Sequence, residues 1–292
     1  MAGRDYIPIM EALTTVQTWL RHNGYGQIVN TRSVGGGCIN DSMQLETSGG
    51  QTVFLKQHAA APPRFFQSEA AGLQAMESIG SLPVPAVIHA DNDFLLLENL
   101  GRGLPGGDYW ESLGRGLAAM HARVFPAFGF DMNNYCGLTP QNNPLTADGF
   151  TFFSEHRLLA LGRLAGEQLS ARDFRQLETI AVNLDHWIPE QPAVLIHGDL
   201  WSGNVHCNAR GQPALLDPAC YYGWPEADLA MTLLFGGFGP GFYSSYEEAS
   251  GIDRNWRERV PLYNLYHLLN HLHLFGGAYL DDVQAVLRRF GR

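Results

Sequence analysis

His197-Gly198-Asp199-Leu200-Trp201-Ser202-Gly203-Asn204 is a polar loop that follows the apolar run Val194-Leu195-Ile196. The run reads as a buried β-strand, and the loop gathers chemistry-bearing side chains at its exit. Asp199 and Asn204 stand five residues apart, and Asp217 follows thirteen later, at the end of a second apolar strand, Ala214-Leu215-Leu216. An acid, a carboxamide and a second acid at strand ends can divide one task. Asp199 accepts the proton of an attacking hydroxyl, while Asn204 and Asp217 hold Mg²⁺ through hard oxygen atoms. Isolated Asp and Asn in loops usually cap and turn. Their joint spacing, with a lysine–glutamate pair upstream, points instead to phosphoryl transfer, which needs cations on the phosphates and a base beside the nucleophile.

The upstream pair comes from a β-rich first third. Three short strands are expected over 26–34, 41–46 and 51–58, separated by Gly35-Gly36-Gly37 and Gly49-Gly50, after a helix over 9–23. A helix over 64–78 and strands over 84–90 and 94–97 complete the segment. Of the nineteen basic residues, eighteen are arginine, and Lys56, in the third strand, is the single lysine. A compact ammonium suits one phosphate or a tight ion pair better than a guanidinium does. On the helix after it, Phe66, Glu69, Leu73 and Met76 share a face. A carboxylate on a face that packs against a sheet needs a cation, and Lys56 is the obvious partner. Gly35-Gly36-Gly37-Cys38-Ile39-Asn40 lies between the first two strands, where backbone amides can cover nucleotide phosphates.

Beyond Gly101 the texture becomes helical. Leu113, Leu117, Met120 and Val124 form one apolar face, and Phe174, Leu177, Ala181, Leu184 and Ile188 another. His267 and His271 stand four apart with His273 nearby, but Leu268 occupies the place where a zinc protease needs its glutamate, so packing or surface histidines are expected. The 292 residues carry a net charge of −10 with no basic half or stripe, which argues against nucleic acid as partner. The uncharged apolar stretch 229–242 is broken by glycines and a proline, so no membrane span is expected. Asp5 and Glu11 near the start do not suit a signal peptide, and four cysteines without CxxC spacing suit a reduced cytoplasmic protein.

Together these residues resemble the protein-kinase-like superfamily, near the aminoglycoside phosphotransferases, and within it the fructosamine kinase (ketosamine-3-kinase) family. The carriers are Gly35 to Asn40, Phe54-Leu55-Lys56, Tyr135 to Gln141, His197 to Asn204, Asp217-Pro218-Ala219 and Glu226 to Met231. The resemblance implies an α+β bilobal fold. A small antiparallel-sheet lobe with one main helix over 1–100 would join a larger, mostly helical lobe over 101–292 through a hinge at 98–101. It also implies ATP and Mg²⁺ as cofactors. ATP would be held by Gly35, Gly36, Gly37, Cys38, Asn40, Lys56, Glu69 and the hinge residues Glu98, Asn99 and Leu100. Asp199 would be the catalytic base, Asn204 and Asp217 the metal ligands, and His197 and Asp228 supports of the catalytic loop. The implied reaction is phosphorylation of the 3-hydroxyl of a ketosamine, free or on a protein, as repair of glycation. Two alternatives remain open: a kinase for an aminoglycoside or choline, and a nucleotide-binding pseudokinase sensor.

Trp201 either stacks over the sugar-amine or packs in the core, and Tyr221, with Tyr222 and Trp224, either lines the acceptor pocket or packs beneath the loop. Cys38 is either a small inert residue or an oxidation-sensitive thiol. Only eight residues separate Asp217 from Glu226, and no Ser or Thr occurs between Ser202 and Thr232, so a phosphorylated activation segment has no room.

Overall fold

Strand alternation organises the first third of the molecule in this computed structural model, which describes residues 6–35 and 41–292, and of 6–12 only the backbone. Gly36, Gly37, Cys38 and Asn40 therefore lie outside the described residues. Helix α1 (Tyr6–His22) is followed by β1 (Ile28–Ser33), β2 (Asp41–Thr47), β3 (Thr52–Gln57), α2 (Phe65–Ile79), β4 (Val87–Ala90) and β5 (Phe94–Glu98). The strands form one antiparallel sheet in the order β1-β2-β3-β5-β4. Successive side chains of a strand leave opposite faces. Val53 and Leu55 therefore pack with Leu45, Phe94 and Leu96 beneath Val16 and Leu20 of α1. Lys56, opposite Ser42 and Leu95 in the register, falls on the other face, towards α2. There Leu95 and Leu97 meet Phe66, Ala70, Leu73 and Met76. Two helices thus sandwich the sheet. The strand expected from 84 begins at Val87, because Pro83 and Pro85 have no N–H to give a ladder.

The remainder is mostly helical: α3 (Tyr109–His121), α4 (Gly149–Phe153), α5 (Ala160–Ala165), α6 (Ala171–Val182), α7 (Pro225–Leu234), α8 (Pro240–Ser250), α9 (Trp256–Phe275) and α10 (Leu280–Phe290). Short strands lie between them: β6 (Val124–Phe125), β7 (Asn134–Cys136), β8 (Thr139–Gln141), β9 (Ala193–Ile196), β10 (Val205–Cys207), β11 (Pro213–Leu215) and β12 (Tyr221–Gly223). β9 is central in a small antiparallel sheet, β12-β9-β6, and is buried along its whole length. Leu113, Leu117 and Met120 are buried on α3 as expected, but Val124 lies past the end of the helix and is exposed on the edge strand β6. α3 packs closely along α8 because Gly114 has no side chain; a Cβ there would stand 2.3 Å from the Phe242 carbonyl oxygen. No helix among the described residues is long and apolar enough to cross a membrane.

Candidate active site

Burial of β9 delivers the loop that follows it to the floor of a cleft of about 1290 Å³ between the sheet and the helical part. His197, at the strand's exit, is fully buried. Its Nε2–H donates to the Leu216 carbonyl at 2.8 Å, and its Nδ1 accepts from the Asp199 amide at 3.2 Å. Burial keeps this imidazole neutral, which suits a ring that donates on one side and accepts on the other. The next residue, Gly198, has φ +79°, and a Cβ on it would stand 2.2 Å from the Ala219 carbonyl oxygen. Only glycine lets the loop turn there against the segment after Asp217.

Asp228, near the start of α7, clamps the same turn. Its Oδ2 accepts from the His197 amide at 2.7 Å and its Oδ1 from the Gly198 amide at 2.9 Å, while His121 Nε2 approaches Oδ2 at 3.4 Å. Burial alone would raise its pKa, but the hydrogen bond and charge of His121, with His197 beside it, hold the carboxyl below its ordinary range. The helix carrying Asp228 is itself anchored: Arg259 on α9 makes a bidentate ion pair with Glu226, both contacts at 2.7 Å.

Asp199 lines the cleft. Its carboxyl is pushed up to about 7 by burial first and then by the neighbouring Asp217 carboxylate, against a hydrogen bond from Asn204. Asn204 Nδ2 donates to the Asp199 carbonyl at 2.8 Å and to its Oδ2 at 3.2 Å. With the nitrogen so engaged, the Asn204 side chain has its amide oxygen left to offer a cation. Asp217, its carboxylate half exposed to the cleft, is the second hard-oxygen donor, and the pair suits Mg²⁺. Asp217 adopts φ +53°, one of two described non-glycine residues in the left-handed region. Asp tolerates that region better than most side chains, and strain of this kind collects at functional sites.

Lys56 spans the cleft roof and floor. Its Nζ lies 2.6 Å from Glu69 Oε1 on α2 and 3.0 Å from Asp217 Oδ1. Burial opposes its charge, but the Asp217 and Glu69 carboxylates outweigh that and hold it firmly protonated. Above the floor, Gly35 and the ends of β1 and β2 line the cleft. At its back, Glu98, Asn99 and Leu100 connect the two parts. The Glu98 carboxylate turns away to accept from the Ala86 amide at 3.2 Å, Asn99 Oδ1 accepts from Gln44 and from the Gly101 amide, and the Leu100 carbonyl accepts from the Ala209 amide at 2.9 Å.

The two aromatic expectations separate. Trp201 lines the cleft, with its ring against the Gly203 backbone and edge-on to Phe235 at 6.2 Å. Tyr221 does not line it. It is buried on β12, paired with Ile196, and its ring faces the Arg157 guanidinium at 4.0 Å, so it packs beneath the loop. Tyr222 stacks on Phe125 at 4.1 Å, and Trp224 is buried among Phe128, Phe150 and Phe153. Sequence reading missed Cys136, His271, Phe275 and Tyr279, which reach the same cleft from β7, α9 and the turn after α9. The Tyr135 to Gln141 motif signalled the first of these, but an α9 pattern of alternating histidine and leucine did not distinguish a cleft wall from a core.

A family model described as fructosamine kinase matches residues 12–291, nearly the whole chain. The chain belongs to the fructosamine kinase family. It is 42% identical over 273 residues to a probable ketoamine kinase of Synechocystis sp., covering 90% of each chain. It is 36% identical over 296 residues to the chloroplastic protein-ribulosamine 3-kinase of Oryza sativa subsp. indica, covering 96% of this chain and 85% of that one. A crystal structure of a candidate fructosamine-3-kinase from Thermobifida fusca superposes with a TM-score of 0.84 at 32% identity, covering 94% of this chain and 99% of that one. The ADP-bound aminoglycoside phosphotransferase APH(2'')-Ib shares the fold, with a TM-score of 0.60, but only 14% identity. This member of the fructosamine kinase family therefore has the α+β fold of the kinase-like phosphotransferases, as expected.

Proposed function

We propose that this enzyme transfers the γ-phosphoryl group of ATP to the 3-hydroxyl of a ketosamine, free or carried on a protein lysine. The reading rests on one juxtaposition: Asp199, Asn204 and the Lys56–Asp217 pair meet in a single cleft, in a chain whose relatives are named ketoamine and ribulosamine kinases. Lys56 engages the α- and β-phosphates and Glu69 braces it; Gly35 with the glycines after it covers the phosphates; the backbone of the 98–101 hinge meets the adenine. Asn204 and Asp217 hold Mg²⁺, which when bound neutralises phosphate charge. Asp199 orients the acceptor hydroxyl and takes its proton as the new P–O bond forms and the bond to the ADP leaving group breaks. His197 and Asp228 keep the loop in register, and Trp201 offers a ring to the sugar-amine. The free thiols of Cys136, Cys207 and Cys220 fit a reducing, cytoplasmic setting.

The test is ATP turnover with Mg²⁺ against ribulose-lysine, fructose-lysine, an aminoglycoside and choline. Turnover restricted to the sugar-lysines is the expected result and ranks the two sugars. Phosphorylation of the aminoglycoside or choline alone overturns the substrate while leaving the catalytic residues in place. Lys56→Arg, which keeps the charge, is expected to lower kcat/KM for ATP by about 100-fold. A forked guanidinium cannot sit between two carboxylates at 2.6 and 3.0 Å as a point charge does. Near-normal kinetics in this variant would remove the phosphate role of Lys56.

A further inference from the structure

Behind the catalytic loop, three elements bring together side chains that the phosphoryl-transfer chemistry does not use as a set. Cys136 ends β7, Asp199 lies in the loop after β9, and His267 sits in the middle of α9. One ligand atom from each, the Cys136 Sγ, an Asp199 carboxylate oxygen and a His267 ring nitrogen, lies within 4.8 Å of the other two. His267 is 4% exposed, and its Nδ1 is buried with no hydrogen-bond partner among the described residues. A buried imidazole nitrogen left unpaired is costly unless something occupies it. Burial above all, then the nearby His271, drives its pKa down to about 3, so the ring is neutral and has a lone pair to give. Cys136 and Asp199 both line the cleft, which opens the cluster to ions in solution. Asn270 Nδ2 donates to the Cys136 sulfur at 3.4 Å and orients it, while burial and the Asp199 carboxylate push the thiol well above its ordinary range, so its proton leaves only as a metal takes its place.

We infer that Cys136, Asp199 and His267 form an inhibitory site for a soft or borderline divalent cation, Zn²⁺ being the type ion. Sulfur, imidazole and carboxylate are a usual donor set for Zn²⁺, with a fourth position left for water from the cleft. Ligands of one tetrahedral Zn²⁺ stand about 3.5 Å apart, so the three close by about 1 Å through side-chain rotation. The Cys136 S–H bond breaks as the S–Zn bond forms, and its proton leaves to solvent through the cleft. Two anionic ligands balance the dication, which suits a site whose thiol and imidazole already feel the charge of the Arg157 guanidinium. Mg²⁺ does not compete, because it prefers the all-oxygen donors Asn204 and Asp217. Zn²⁺ bound here occupies the carboxylate assigned as base, so it blocks the acceptor step and leaves the nucleotide region open.

Direct binding and inhibition test this separately, and only the inhibition arm depends on the proposed kinase activity. Co²⁺ titrated into the full-length protein is expected to give a near-ultraviolet sulfur-to-cobalt charge-transfer band at one equivalent, displaced by Zn²⁺. Cys136→Ser abolishes the band, His267→Gln weakens Co²⁺ binding at least tenfold, and Cys207→Ser and Cys38→Ser leave the band intact. In turnover assays at constant excess Mg²⁺, Zn²⁺ is expected to inhibit competitively with the sugar-amine and not with ATP. Normalised to each variant's metal-free rate, Cys136→Ser and His267→Gln raise the inhibition constant at least tenfold. No charge-transfer band in the wild type, or a band that survives in Cys136→Ser, overturns the site. A band with no activity on any acceptor leaves the site standing and overturns the kinase reading instead.

Discussion

Asp199→Asn is expected to lower turnover by about 10²- to 10⁴-fold, the range over which a positioned base contributes, while ADP and ATP bind within a few-fold of wild type. The substitution is nearly isosteric, and its amide oxygen can still accept from Asn204, so the loop has no reason to move. Only the proton acceptor is lost. A second signature follows from its environment. Burial and the Asp217 carboxylate raise the Asp199 carboxyl from its ordinary value to about 7, so the native fold binds this proton more tightly than the unfolded chain does. Its protonation therefore favours the native state fully below the unfolded pKa, and that contribution is lost as pH rises through about 7. Asp199→Asn is then more stable than wild type at pH 8, by about 1–2 kcal/mol once the opening to solvent is allowed for, and the advantage vanishes near pH 4. In the wild type, kcat/KM for the acceptor falls as pH drops below about 7, because the base must be ionised. Nucleotide binding and thermal melts at pH 8 and pH 4.5 check all of this. A variant as active as wild type would remove Asp199 from the chemistry.

The other large effect lies outside the cleft. Arg157 is fully buried on the π-helical turn Ser154–Leu159 and has no carboxylate partner among the described residues. Its charge is met by dipoles and rings instead. Nη1 donates to the Asn142 and His156 carbonyls, Nη2 donates to Asn143 Oδ1 at 2.6 Å, and the guanidinium lies over Tyr221 at 4.0 Å and Phe152 at 4.6 Å. Asn143 in turn donates to Asn134, which donates to the Cys220 carbonyl, and Gln141 donates to the Ala219 carbonyl. Arg157 thus supports, through the β7–β8 hairpin, the segment that follows Asp217. Arg157→Leu removes the cost of burying a cation, but strands at least two acceptors and leaves a void. The net loss is about 3–5 kcal/mol, a fall in Tm of about 10 °C for a chain of this size. Activity at 20 °C falls as well, because Asp217 loses its backing. A melt unchanged within 2 °C would show that the aromatic cage packs as well without the charge.

The polar loops and the lone lysine were legible because their chemistry forces its own signature. A carboxylate on the apolar face of α2 cannot be buried without a cation, and Lys56 was the one lysine available to meet it; the 2.6 Å contact answers that requirement. Strand positions were equally plain where alternation and glycine punctuated them and failed at Val84, where prolines intervened, and the helical face expected to reach Val124 ended at His121. Arg157 and His267 left no comparable trace. An arginine between a histidine and a leucine, and a histidine among leucines, read as ordinary surface or core, since what singles them out is the set of groups around them, and those come from 14 to about 130 residues away.

That division has one physical cause. Hydrophobic period, backbone-breaking glycine and proline, and an acid that needs a nearby cation are local constraints, written over a few residues, so the sequence by itself determined the strand–helix order of the first third, the kinase-like loop and the Lys56–Glu69 pair. Tertiary structure alone decided that Trp201 faces the cleft while Tyr221 lies under it, that Asp217 reaches Lys56 as well as Glu69 does, and that β7 and α9 bring a thiol and an imidazole against the back of Asp199. Those facts depend on how buried faces interlock across the chain, and close packing settles them only when every neighbour is in place.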